Sequence, residues 1–247
     1  MDIQPFSCTR PNPDRITDAL VAGPDALADS SLFTLDASRA LYVIEHAGVA
    51  GATMGLACCI PVDEMAGLMP TDEAAPRDSG KGASSSEQAV EAGVSEGATR
   101  DDISIGQDAS ALLDEIKRLG AQVHPVRLLH AGNFALDIIL GAAKTATPLY
   151  ALDGPSGQRL TVWRVSRPEA IDALKATYGT LGLSLATSAD ALVAEADIAL
   201  AREHHAAVKT QGIPAPSDIA LAVLIPQNQA AADTFSIPAG LLMHRIR

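Results

Sequence analysis

Aromatic side chains are nearly missing from this chain: one Trp, three Tyr and four Phe make up 3% of its 247 residues. Rings therefore cannot fill the interior, and a core of small aliphatic side chains is expected. Basic charge is also short, with 18 Lys and Arg against 30 Asp and Glu, a net charge of -12. Such a chain repels phosphate backbones, and it has no Lys/Arg cluster dense enough for a local basic stripe, which excludes nucleic acid as the expected partner. No apolar run approaches eighteen residues, and the opening "MDIQPFSCTRPNPDR" has no apolar targeting core. A cytoplasmic protein without a membrane partner is expected. The three cysteines are an odd number, and Cys58 and Cys59 are adjacent in an apolar run. Neighbouring strand residues face opposite ways, so a disulfide framework is not expected and these thiols read as small buried hydrophobes.

The familiar chemical motifs are absent too. There is no G-x-S-x-G elbow, no P-loop, no G-x-G-x-x-G and no H-E-x-x-H in the sequence, which leaves no local signature for a nucleophile, a nucleotide cradle or a helical zinc site.

What is present is a set of well-punctuated elements. Two apolar runs, Leu41 to His46 and Ala52 to Val62, flank a Gly-containing turn and predict a β-hairpin. "TPLYALDGPSGQRLTVWRV" predicts a second, with Trp163 as a core anchor. "DASALLDEIKRLG" predicts a helix capped by Asp108 and stopped by Gly120, and another helix is expected from Asn133 to Lys144. "SRPEAIDALKATYG" carries Ser166 and Glu169 at capping-box spacing and predicts a helix ending near Gly179. "IALAVLIP" reads as a final apolar strand. Between the halves, Pro70 to Asp102 is rich in Ser, Gly, Ala and acid and lacks any apolar period. A disordered acidic insertion over residues 70–104 is expected, interrupting one domain formed by 1–69 and 105–247. Hairpins interleaved with helices predict an α+β fold with a mixed sheet and packed helices.

The chemistry-bearing stretch is "AREHHAAVKTQG", where Glu203, His204 and His205 stand together. Adjacent helical residues project about 100° apart, which is awkward for chelating one ion, so no metal site is expected and a partly exposed helix face is the plain reading.

Taken in order, "PFSCTRPNPD", "LYVIEHAGVAGATMGLACCIPVDEM", "TPLYALD", "LTVWRVSRPEAIDAL", "DIALAREHHAAV" and "LLMHRIR" resemble the bacterial and archaeal proteins grouped as domain of unknown function 1015. Those proteins open with an aromatic and then Arg-Pro, place a tryptophan strand before a helix, and carry Ile-Ala-Asp-Gly-His-His-Arg and a closing His-Arg. The resemblance matches Ala201, His204 and His205, while Arg202, Glu203 and Ala206 stand where Asp, Gly and Arg belong; His244 and Arg245 match the closing pair. A family His-Glu element falls near "QVHPVRLLHAG", where Val126 and Arg127 replace it. The resemblance implies a short strand near Ile198 to Leu200, a turn, and a helix from about Arg202. Through its similarity to ParB-like proteins, which include free-serine kinases, it also implies a nucleotide with magnesium. On that reading His204, His205 and Glu203 are catalytic candidates, and Arg202, His204, His205, His244 and Arg245 bind ligand. Replacing Gly by Glu203 and Arg by Ala206 removes the charge logic of a phosphate site. The expectation is therefore a diverged, non-catalytic module that binds a small molecule or a protein, with a nucleotide-dependent phosphotransferase as the alternative.

Overall fold

The computed structural model describes residues 1–48, 51–68, 108–154, 157–207, 218–228, 235 and 237–246. The acidic insertion expected over 70–104 lies outside them. Seven strands form the main sheet: β3 (Leu41–Gly48), β4 (Gly51–Pro61), β6 (Val126–His130), β7 (Tyr150–Asp153), β8 (Arg159–Val165), β9 (Leu183–Leu185) and β10 (Ile219–Pro226). Their order is β7-β8-β3-β4-β10-β6-β9. All neighbours are antiparallel except β10 and β6, which run parallel with Leu224 opposite Leu128. Four shorter strands, β1 (Cys8–Pro11), β2 (Phe33–Leu35), β5 (Ala121–Gln122) and β11 (Met243–Arg245), form a second sheet in the order β2-β1-β11-β5. β3 and β4 precede the insertion, and β6 to β10 follow it, so both halves build one sheet. The fold is α+β with a mixed sheet.

The main sheet is covered on both faces, which is why its strands read as unbroken apolar runs rather than alternating ones. Leu41, Val43, Leu56, Cys58, Ala222 and Leu224 point to one face, and Tyr42, Ile44, Ala57, Cys59, Leu221 and Val223 to the other. The period of two places the adjacent cysteines in different layers, both buried and free. Burial raises both thiols above the ordinary range, which keeps them protonated and inert.

Four helices cover the first face: α3 (Ala109–Leu119), α4 (Phe134–Ala143), α5 (Pro168–Tyr178) and α6 (Ser188–Ala207). The short α2 (Val62–Met65) joins them through buried Val62 and Met65, whereas α1 (Ile16–Ala22) lies outside this group. The caps of α3 are those that the sequence predicts, and α4 starts one residue after Asn133, which caps it. Asp108 accepts from the Ala111 amide at 2.9 Å, Gly120 ends α3 at φ 64°, and Asn133 accepts from the Ala135 and Leu136 amides. For α5 the start is shifted by one residue. Pro168 occupies the first helical position, so Arg167 is the N-cap without a side-chain bond and the expected Ser166–Glu169 box does not form.

The larger correction concerns α6. The strand near Ile198 to Leu200 implied by the resemblance is absent, and Ser188–Ala207 is one helix. Val193, Ala196, Asp197, Leu200 and Ala201 are all buried, a helical repeat with no Gly or Pro to break it. A short strand entering a helix does exist earlier, where β9 passes through Thr187 into α6. There Thr187 and Asp190 form a reciprocal capping box: Asp190 accepts from the Thr187 amide at 3.0 Å, and the Asp190 amide donates to the Thr187 hydroxyl at 3.4 Å.

One buried carboxylate gathers bonds from both sheets. Asp36, just beyond β2, accepts from Arg10 Nε of β1 at 2.8 Å, from the Tyr42 hydroxyl of β3 at 2.5 Å and from Arg164 Nε of β8 at 3.3 Å. Arg10 also donates to the Tyr150 hydroxyl of β7 at 3.0 Å, and that hydroxyl donates to the Pro11 carbonyl. Burial pushes the Tyr150 phenol up to about 12, so it remains a donor throughout the physiological range. Asp36→Asn leaves two guanidiniums without a counter-charge and should lower stability by about 3 kcal/mol. A urea melt measures this, and a loss under about 1 kcal/mol would show that the network does not hold the sheets together.

Candidate functional site

The residues singled out by the sequence divide into two groups with different partners. Arg202 is exposed on the last turns of α6. Glu203 is ion-paired with Lys117 of α3 at 2.6 Å. His204 is half-buried, with Nδ1 enclosed and without a hydrogen-bond partner, and His205 Nε2 lies 2.8 Å from Asp218 just before β10. The other two are on β11. His244 is buried edge-on to Phe6, with ring centroids 5.9 Å apart, and Arg245 donates from Nε to the Thr9 hydroxyl at 3.1 Å. Among the described residues no group of three or more His, Cys, Asp or Glu is placed to hold a metal ion. Arg127, at the position where the resemblance expects an acid, binds Asp190 at 3.0 Å through both its Nε and its backbone amide.

Asp190, Asp197 and His204 recur every seventh residue along α6 and so share one side of the helix. Asp197 is 1% exposed. Its Oδ1 accepts from Gln122 Nε2 of β5 at 2.9 Å, and its Oδ2 has no partner. Gln122 is fully used, since its amide also donates to the Ile219 carbonyl and its oxygen accepts from the Leu221 amide. Burial pushes the Asp197 carboxyl up to about 8, and the Gln122 bond offsets only part of that. This group is buried and perturbed, and among the described residues nothing opens it to a substrate.

A groove with room for a ligand was not visible in the sequence. α4 and α5 lie side by side over the end of β8 and leave a groove of about 820 Å³ between them. Ile138, Ile139, Ala142, Ala143, Ala170 and Leu174 form its walls, and Arg164, Ser166 and Arg167 stand on its β8 side. The volume falls within the range of small-molecule sites. It exists because alanine occupies the facing positions, where larger side chains would bring the helices into contact. Two large apolar side chains of α4 are exposed, Phe134 by 79% and Ile138 by 57%, so the apolar surface continues past the groove. Alanine-rich helical spacing was the available signal, and in a single sequence it is indistinguishable from tight packing.

None of Arg202, Glu203, His204, His205, His244 and Arg245 lines this groove. No protein-family model, curated protein or solved structure matches the chain. No helix among the described residues is long and apolar enough to cross a membrane.

The buried carboxyl sets a pH dependence. Its folded value lies above the ordinary 3.8, so its protonated form is the stable one. The stability linked to it is complete below about pH 4 and is lost as pH rises toward 8, at up to about 1.4 kcal/mol per pH unit. Asp197→Asn should flatten this slope in urea melts between pH 4 and 8 and raise stability at pH 8. An unchanged slope would show that Asp197 is not the group responsible.

Proposed function

We propose that this chain is a non-catalytic module that binds a small molecule in the groove between α4 and α5, diverged from the proteins that it resembles and acting in the cytoplasm. The observation that carries the reading is the groove, with its apolar walls and a polar end lined by Arg164, Ser166, Arg167 and Glu169. Two of the side chains that a phosphotransferase would use have other partners. Glu203 is tied to Lys117, and Arg245 is bonded to Thr9. The histidines at the end of α6 and on β11 have separate surroundings. These commitments support the binding reading over the nucleotide-dependent alternative.

A thermal-shift screen separates the two. Apolar and amphipathic small molecules should stabilise the protein, by roughly 2.7 kcal/mol at one hundred times the dissociation constant. Ala142→Trp places an indole in the groove from an exposed position, and it should remove the shift while leaving the circular dichroism spectrum unchanged. ATP or ADP with magnesium should give no shift. Stabilisation by nucleotide that survives Ala142→Trp would overturn the proposal in favour of the phosphotransferase.

A further inference from the structure

We infer that the ligand of this groove is an uncharged aliphatic amphiphile, an alkyl chain ending in a hydroxyl or a like donor-acceptor group; the inference rests on the groove being the binding site. The walls set the chain. Ile138, Ile139, Ala143, Val165, Ala170 and Leu174 are all aliphatic, and Thr145 spends its hydroxyl on the Ala142 carbonyl of its own helix at 2.8 Å. A polar body between α4 and α5 would lose its water without compensation. An alkyl chain has no such cost, and each methylene that it removes from water tightens binding by about fourfold.

The polar end sets the head group. Three ionisable residues line it, Arg164, Arg167 and Glu169. The Arg164 guanidinium takes no part, because it is bonded to Asp36 and Ser38 on the Tyr42 face of the sheet, away from the helices. Arg167 and Glu169 remain, one cation and one anion, both exposed at the start of α5 and neither ion-paired among the described residues. Their charges cancel. Glu169 also occupies the first turn of α5, where the partial positive charge of the helix end would otherwise draw an anion. A carboxylate head would be attracted by Arg167 and repelled by Glu169, and an ammonium head would meet the reverse. A hydroxyl accepts from a guanidinium and donates to a carboxylate, so a neutral head uses both groups and is repelled by neither.

Isothermal titration of the full chain at pH 7.5 with hexanol, octanol, decanol, decanoate and decylammonium, each below its solubility or aggregation limit, tests the inference. Affinity should rise about fifteenfold from hexanol to octanol and again from octanol to decanol, and decanol should bind tighter than either charged probe. Glu169→Gln should strengthen decanoate about threefold and Arg167→Gln should strengthen decylammonium about threefold, the scale of one exposed charge pair. Ala142→Trp should abolish binding of every probe. A charged probe that binds tighter than decanol, or charged probes unmoved by both substitutions, with binding lost in Ala142→Trp, would overturn the uncharged head and leave the groove as the site. Affinity that does not grow with chain length would overturn the alkyl chain. Binding of no probe, or binding that survives Ala142→Trp, would overturn the groove reading and the inference with it. A dimer in sedimentation that Ala142→Trp dissolves would assign the groove to a second copy of the chain and would likewise overturn the inference.

Discussion

Asp36 is a polar junction at which the small sheet is tied to the large one. A single carboxylate, 8% exposed, gathers a guanidinium from β1, a phenol from β3 and a guanidinium from β8. Removing charges from water is costly, and the cost is offset only when every charge is paired and bonded. The arrangement therefore admits little variation in how the small sheet meets the large one. Arg10 extends it to Tyr150 on the edge strand β7, and the Tyr150 hydroxyl returns to Pro11. The same network holds the Arg164 guanidinium at the end of β8, on the Tyr42 face of the main sheet.

On the helical face the long element α6 carries a polar side through an apolar layer. Asp190 caps its own helix with Thr187 and binds Arg127 of β6, which fixes the helix against the parallel strand pair. One repeat on, Asp197 meets Gln122, whose remaining bonds reach Ile219 and Leu221 at the start of β10. These polar contacts specify the seating of a helix whose buried residues are mostly Val, Ala and Leu, side chains too small and uniform to set a unique register alone. The cost is the partnerless Oδ2 of Asp197.

Much of this was legible because it is local. Asp108, Gly120 and Asn133 announce helix ends by chemistry that acts within four residues, and the two hairpins follow from Gly-rich turns between apolar runs. The adjacent cysteines take opposite faces because strand geometry requires it. Reading failed where distant segments meet. Nothing near "AREHHA" predicts that Glu203 pairs with Lys117, or that His205 lies against Asp218. The resemblance placed a strand and a turn where uninterrupted helical periodicity continues, and the periodicity prevailed. Arg10 and Pro11, quoted for their place in a family pattern, hold the sheets together. The groove was invisible for a similar reason: its walls come from two helices separated by β7 and β8, and its volume is made by what alanine leaves empty.

The most direct measurement is photoaffinity labelling of the native protein with a decanol bearing a diazirine on its tail, followed by peptide mapping. Crosslinks concentrated within residues 138–146 and 165–174, and suppressed by excess decanol, are the predicted result. Crosslinks on the last turns of α6 or on β11, with α4 and α5 unlabelled, would contradict the account.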